Sequence, residues 1–240
     1  MKYKISIIIV ICSIISLFLW LFYISKSRDF QFFWGLINNI HTEKNFIALT
    51  LDDGPTSGNT EKILNILKKN DIKASFFLIG QDIEKYPEQT KKIIQAWHQI
   101  GNHSYSHQRM VFKSPQFVRN EIIKTDQLIR NLWYTGSIHF RTPYGKRLFI
   151  TPYILRSLQK ANIFFDVEPE SYVKSSWDIV QYVINNTQSW SIILLHPMYG
   201  KENATLDILE ELILSLKNKW FHFVTIDQLL NETKKEIVFW

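Results

Sequence analysis

From Asn45 to the end of the chain, short apolar runs alternate with stretches in which apolar residues recur every three or four positions. The runs Phe46–Leu51, Ala74–Ile79, Gln99–Asn102, Ile138–Arg141, Ile163–Val167, Ile192–Leu195 and Phe221–Thr225 have the length and content of buried strands. Between them the pattern predicts helices. Thr60–Asn70 places Ile63, Ile66 and Leu67 on one face, and Pro87–Gln99 opens with a proline and buries Ile93, Ile94 and Trp97. Ser114-Pro115 reads as an N-cap followed by the first helical residue of a helix reaching about Asn131. Further helices are expected at Pro152–Ala161, Trp177–Asn186 and Ala204–Lys219. Seven strands with intervening helices imply right-handed crossovers and a parallel sheet, either open or closed into a barrel.

Upstream the pattern changes. Ile5 to Ile24 is apolar except for Ser6, Ser13 and Ser16. Such a helix, at about 1.5 Å per residue, spans about 30 Å and matches the hydrocarbon core of a bilayer. The apolar region of a cleaved signal peptide is shorter, about 7–15 residues, and Tyr23-Ile24-Ser25-Lys26-Ser27 is a poor cleavage site, so an uncleaved anchor is expected. Lys2 and Lys4 balance Lys26 and Arg28, and the flanking charges therefore do not orient it. The predicted organisation is a flank at 1–4, a membrane helix at 5–24, a juxtamembrane linker at 25–44, one folded domain at 45–232 and a tail at 233–240.

Composition narrows the classes further. Apolar residues make up 46% of the chain, too many for bulk disorder. The single cysteine, Cys12, excludes an internal disulfide and a Cys-rich zinc site, and Ile11 before it argues against lipidation. The chain has 28 Lys and Arg against 22 Asp and Glu. Without the four bases beside the apolar helix the remainder is 24 against 22, so most of the excess suits anionic headgroups and nothing argues for nucleic acid.

The chemistry-bearing residues follow the strands. Asp52 and Asp53 lie after the first, His103 with His107 after the third, Arg141 ends the fourth, Glu168 follows the fifth and His196 the sixth. In parallel α/β folds the carboxyl ends of the strands form one face, where sites are built. Two imidazoles and a carboxylate can hold a metal with an open position, leaving the second carboxylate as a base. Each piece alone has a plainer reading. Asp-Asp-Gly-Pro can be a turn, His103 and His107 can share a surface helical face, Arg141 can close a strand, and His196 can be a core histidine.

Four motifs in order resemble the polysaccharide deacetylases of the NodB-homology type, carbohydrate esterase family four. They are Thr50-Leu51-Asp52-Asp53-Gly54-Pro55, His103-Ser104-Tyr105-Ser106-His107, Arg141-Thr142-Pro143-Tyr144-Gly145 and Leu194-Leu195-His196, and the resemblance covers about Asn45 to Leu230. It implies a distorted (β/α) barrel of about seven βα units. Asp53, His103 and His107 would hold one divalent metal, most often Zn2+, and Asp52 would be the general base acting on the water that attacks an N-acetyl group. Arg141 would fix and ionise Asp52, His196 would protonate the departing amine, and Tyr144, Tyr172 and Leu194 would contact the substrate, with a backbone N–H near Tyr144 on the oxyanion. One motif departs from the family: the Asp and Trp expected near Asp166–Tyr172 are replaced by Ser171 and Tyr172. Glu168 is the expected substitute partner of His196, against the plainer reading of a solvent-facing side chain.

Two further features have open readings at this level. Lys146-Arg147 is either a solvated loop or a site for an anionic group of the substrate, and Trp177, Trp190 and Trp220 read as packing residues rather than sugar platforms. The expected function is removal of N-acetyl groups from an envelope polysaccharide such as peptidoglycan or a chitin-like oligosaccharide, by a domain on the outer side of the membrane. Two alternatives accompany it: a deacetylase or deformylase of a lipid-linked amino sugar, and a non-catalytic glycan-binding module.

Overall fold

A computed structural model describes residues 2–33, 35–40, 43–199 and 204–232; the expected tail at 233–240 lies outside the described residues. The elements in order are helix α1 (Lys2–Ser25), β1 (Leu36–Ile37), β2 (Phe46–Asp52), α2 (Asn59–Lys69), β3 (Ser75–Leu78), α3 (Gly80–Lys85), α4 (Pro87–Gln95), β4 (Gln99–Asn102), α5 (Pro115–Asn131), a 3-10 turn (Pro143–Gly145), α6 (Ile150–Ser157), β5 (Asn162–Ile163), α7 (Ser176–Asn186), β6 (Ile192–Leu195), α8 (Ala204–Asn218), β7 (His222–Val224) and α9 (Ile226–Glu232).

The sheet runs β4-β3-β2-β6, with β7 also paired to β2, and every pairing is parallel. Strand β2 is buried from Ile47 to Asp52, which explains its continuous rather than alternating apolar run: a parallel sheet is covered on both faces. Ile63 and Leu67 of α2, Leu209, Leu212 and Leu216 of α8, and Leu49 and Leu51 of β2 belong to one core. A second cluster gathers Ala48, Phe77, Ile163, Phe164, Ile192 and Leu194. Gly101 in β4 is a packing requirement, because a Cβ there would meet the Phe77 ring at 2.5 Å.

Several expectations shift. Of Ile138–Arg141 only Phe140 bridges, in parallel to Asn102 and to Asn162. The Ile138 carbonyl instead accepts from Lys160 Nζ at 2.7 Å, and the chain turns at Pro143, which has no N–H to continue a ladder. Ile163–Val167 breaks into the short β5 and a bridge from Val167 to Ile193. Its interruption has a cause: the Asp166 carboxylate accepts the Ile192 N–H at 2.7 Å and the Ser191 hydroxyl at 2.7 Å. Helix α4 stops at Gln95, so Trp97 is 83% exposed instead of buried. Ser114 caps α5 as expected, accepting from Phe117 N at 3.2 Å.

The segment expected to be a linker is packed onto the domain. Leu36 and Ile37 pair with Asn162 and Ile163, and the buried Gln31 accepts from Arg147 Nε and Asn162 Nδ2 at 3.0 and 2.9 Å. Arg147 therefore supports the fold rather than a substrate: it is buried, stacks over Phe164 at 4.1 Å and donates to the Phe30 carbonyl. Burial without a carboxylate partner pushes its pKa down to about 9.

Candidate active site

Because the sheet is parallel, the ends of β2, β4 and β6 deliver Asp52-Asp53, Asn102-His103 and His196 to one edge. Arg141 reaches the same edge through its own N–H, which donates to the Asn102 carbonyl at 2.9 Å. Its side chain is 1% exposed and every branch is engaged. Nη1 donates to Asp52 Oδ1 at 2.6 Å and to Thr50 Oγ1 at 2.8 Å, Nε to the Ile163 carbonyl at 2.9 Å, and Nη2 to the Phe164 carbonyl at 3.1 Å. The guanidinium also lies 4.1 Å from the centre of the Phe77 ring that Gly101 makes room for. Burial alone would raise the Asp52 carboxyl, but Arg141, then His103 and His196, outweigh it and hold Asp52 below its ordinary value.

Asp53, His103 and His107 come together with one donor atom each, all within 4.8 Å of one another. Nε2 of His103 and Nε2 of His107 are 3.2 Å apart, and Asp53 Oδ1 lies 3.4 Å from the latter and 3.8 Å from the former. Ligands at about 2.0–2.1 Å around a tetrahedral metal stand about 3.3 Å apart, so the three donors are spaced to share one ion. Two observations agree. Asp53 Oδ1 is buried with no hydrogen-bond partner, and burial drives His107 down to about 4, leaving its imidazole neutral and able to ligate. His103 Nδ1 bonds to the Arg141 carbonyl at 2.9 Å, which fixes that ring with Nε2 toward the site.

The two histidines do not share a helical face. They sit in a loop where Ser104 (φ 65°) and His107 (φ 52°) adopt left-handed backbone. Sequence reasoning missed what holds that loop. The carboxylate of Glu121 on α5 accepts from Tyr105 N at 3.1 Å, Ser106 N at 2.8 Å and Ser106 Oγ at 2.9 Å. Asn102 Oδ1 accepts from Ser104 N, and Ser104 Oγ from His107 N.

His196 Nδ1 is in a short hydrogen bond with Glu170, not Glu168. Glu170 also accepts from the His196 N–H at 3.0 Å and from Thr205 Oγ1 at 2.6 Å. The assignment of Glu168 is thereby corrected: its carboxylate accepts from Arg28 Nη2 and Ser171 N, each at 2.9 Å, and so serves the segment that follows α1. The available signal was the place of Glu170 one residue before Ser171. Burial alone would lower His196, but Glu170, with Asp52 and Asp53, raises it to about 9, so the ring is a cation and an acid at neutral pH.

Tyr144, Tyr172 and Leu194 all line the cleft of about 740 Å³ that contains these groups. Tyr144 is exposed with φ 55°, a strained conformation for a non-glycine residue, and its ring lies 4.6 Å from that of His107. Tyr172 is 60% exposed and stacked on Tyr182 at 5.3 Å. Trp177 and Trp220 are exposed rather than packed, and among the described residues no tryptophan is in the cleft lining.

Comparison with known proteins agrees with this geometry. The profile of the polysaccharide deacetylase family matches residues 39–165. A peptidoglycan-N-acetylglucosamine deacetylase of Bacillus cereus is 34% identical over 194 residues, covering 79% of this chain and 70% of that protein. The peptidoglycan-N-acetylmuramic acid deacetylase PdaC of Bacillus subtilis is 32% identical over 79% of this chain, which spans 39% of its length. A crystal structure of a peptidoglycan N-acetylglucosamine deacetylase, in complex with 4-naphthalen-1-yl-N-oxidanyl-benzamide, superposes with a TM-score of 0.78 at 31% identity, covering 85% of this chain and 96% of the other. With the family profile, a close relative and a superposing structure in agreement, the chain belongs to the polysaccharide deacetylase family, carbohydrate esterase family four.

Proposed function

We propose that the chain is a zinc-dependent hydrolase that removes N-acetyl groups from amino sugars of a peptidoglycan-type glycan, held by α1 at the outer face of a membrane. The observation that carries this reading is the meeting, in one cleft, of a metal-spaced triad, an arginine-ionised carboxylate and a protonated histidine. Relatives named for peptidoglycan N-acetylglucosamine and N-acetylmuramic acid deacetylation support the substrate class. Helix α1 is long and apolar enough to cross a bilayer. Its junction is bonded to the domain through Ser25, Arg28 and Gln31, which supports retention of the anchor. The parallel bridges at Phe140 and Val167 support closure of the sheet into a distorted barrel.

A zinc ion held by Asp53, His103 and His107 would polarise the acetyl carbonyl and lower the pKa of water. Asp52 presents one oxygen to Arg141, and its other, Oδ2, lies 3.5 Å from His103 Nε2, on the side where the water must lie. That oxygen takes the proton as the water attacks the carbonyl carbon. The Tyr144 turn and Leu194 bound the acetyl group. The C–N bond breaks as His196 Nε2 gives its proton to the nitrogen, Nδ1 being held by Glu170. The products are the free amine and acetate.

The test is acetate release by the full chain in detergent from N-acetylglucosamine tetramer and from soluble peptidoglycan fragments, followed by mass spectrometry. Zinc-dependent release that a chelator abolishes is expected. A chain that binds these glycans but never releases acetate with any added divalent metal is instead the binding module.

A further inference from the structure

Helix α1 does not stand clear of the catalytic domain. Tyr23 in its last turn and Lys26, Ser27 and Arg28 just after it form one wall of the catalytic cleft. That wall is held in place: Arg147 N donates to the Ser25 carbonyl at 2.8 Å, and Arg28 pairs with Glu168 at 2.9 Å. A second groove, of about 640 Å³, runs along α1 itself, where Phe18, Leu19 and Phe22 face Val111, Phe112 and Leu148. No acidic side chain lines it.

Two residues belong to both hollows, and both are cations: Arg109 and Lys146. Neither is in an ion pair among the described residues. Arg109 stands 5.2 Å over the Tyr144 ring, which in turn packs on His107, while Lys146 and Lys26 stand 5.4 and 4.8 Å over Phe22. Of the acids lining the cleft besides Asp52 and Asp53, Glu168 is engaged by Arg28 and Asp29 by Asn38. The order along the surface is therefore metal triad, aromatic ring, cations, apolar groove.

The carboxylates of a peptidoglycan strand can meet the cations but have no use for an apolar groove, and a neutral glycan has no use for either. A sugar joined through phosphate to a long hydrocarbon chain needs both, in that order. Resting on the deacetylase reading, we propose that this site takes its amino sugar from a lipid phosphate. The N-acetyl sugar occupies the cleft, the phosphate lies among Arg109, Lys146 and Lys26, and the hydrocarbon chain lies in the groove along α1. The bilayer that α1 spans supplies the substrate at the depth of that groove, and the fixed wall keeps the cleft at the headgroup level.

The experiment uses the full chain with zinc in phosphatidylcholine nanodiscs. Acetate release is compared for polyprenyl-diphosphate-linked N-acetylglucosamine in the disc and for N-acetylglucosamine tetramer and N-acetylglucosamine 1-phosphate in solution. A kcat/KM at least about tenfold higher for the lipid-linked sugar is expected, since charge-assisted phosphate contacts and the buried chain add to binding. That ratio should fall about tenfold or more in Arg109→Ala/Lys146→Ala and return in Arg109→Lys/Lys146→Arg. Asp52→Asn, examined by native mass spectrometry, should retain the lipid-linked sugar in preference to phosphatidylglycerol. Equal rates on lipid-linked sugar and tetramer overturn the proposal and leave the deacetylase reading standing. So does a preference that the alanine pair does not move, which reflects colocalisation in the disc alone, or equal retention of phosphatidylglycerol, which reflects a plain headgroup site. Acetate release from none of the three probes, and from no soluble peptidoglycan fragment either, removes the deacetylase reading, and retention by Asp52→Asn then decides the lipid proposal by itself.

Discussion

The two groups proposed to handle protons in the cleft, Asp52 as base and His196 as acid, are built in opposite ways. Asp52 ends a central strand, is 2% exposed in its side chain, and is locked by an Arg141 that is itself held by two backbone carbonyls and Thr50. His196 also follows a strand, yet its side chain is 39% exposed and its partner, Glu170, comes from a turn, supported by Thr205 at the start of α8. The base side is set by the sheet, where a shift of one residue would move every ladder bond. The acid side depends on side chains from loops, where a different residue can fill the same role. This explains how Glu170 can serve in a segment that lacks the family's usual Asp while the first three motifs are intact.

The comparison can be broken most directly at Asp52. Asp52→Asn should lower kcat for acetate release by about a thousandfold or more, the upper range for loss of a general base, with zinc content by elemental analysis unchanged. Retained activity would mean that the locked carboxylate is only structural. Next is Arg141→Met, which strands a buried carboxylate and should cost about 3–5 kcal/mol in urea unfolding. It should also move the acid limb of the rate profile to higher pH. Asp52 is held below its ordinary value chiefly by Arg141 and works ionised, so losing the guanidinium raises the pH at which it ionises.

The acid side gives a smaller, more selective effect. As the proposed acid, His196 acts protonated and is raised to about 9 through Glu170, so Glu170→Gln should move the alkaline limb of kcat/KM to lower pH. A zinc ion nearby lowers the value itself but not the direction of this change. Glu168→Gln should leave that limb in place, and a shift there equal to that of Glu170→Gln would undo the assignment of partners. The mildest change is Glu121→Gln, which weakens the three bonds under the His103–His107 loop. A loss of about 1–3 kcal/mol by thermal unfolding and weaker zinc retention in a chelator competition are expected.

Where strands are long and buried, periodicity read them well: Phe46–Leu51 and Gln99–Asn102 appear within a residue of their expected bounds. It overstated Ile138–Arg141 and Ile163–Val167, whose backbone bonds are partly taken by Lys160 and Asp166 side chains. Trp97 shows the same limit, since an apolar period cannot say that α4 ends two residues earlier. Glu121 and Gln31 were invisible because their partners are backbone groups of distant loops.

The sequence by itself determined the parallel α/β class, the candidate membrane helix and the residues that gather at the strand ends, because strand direction and burial follow from local pattern. Only the tertiary structure decided that Glu170 rather than Glu168 meets His196, that Arg147 is a buried support while Lys146 lines the cleft, and that the stretch after α1 is a cleft wall. These depend on which side chains reach across tens of residues to one point, and no local period carries that distance.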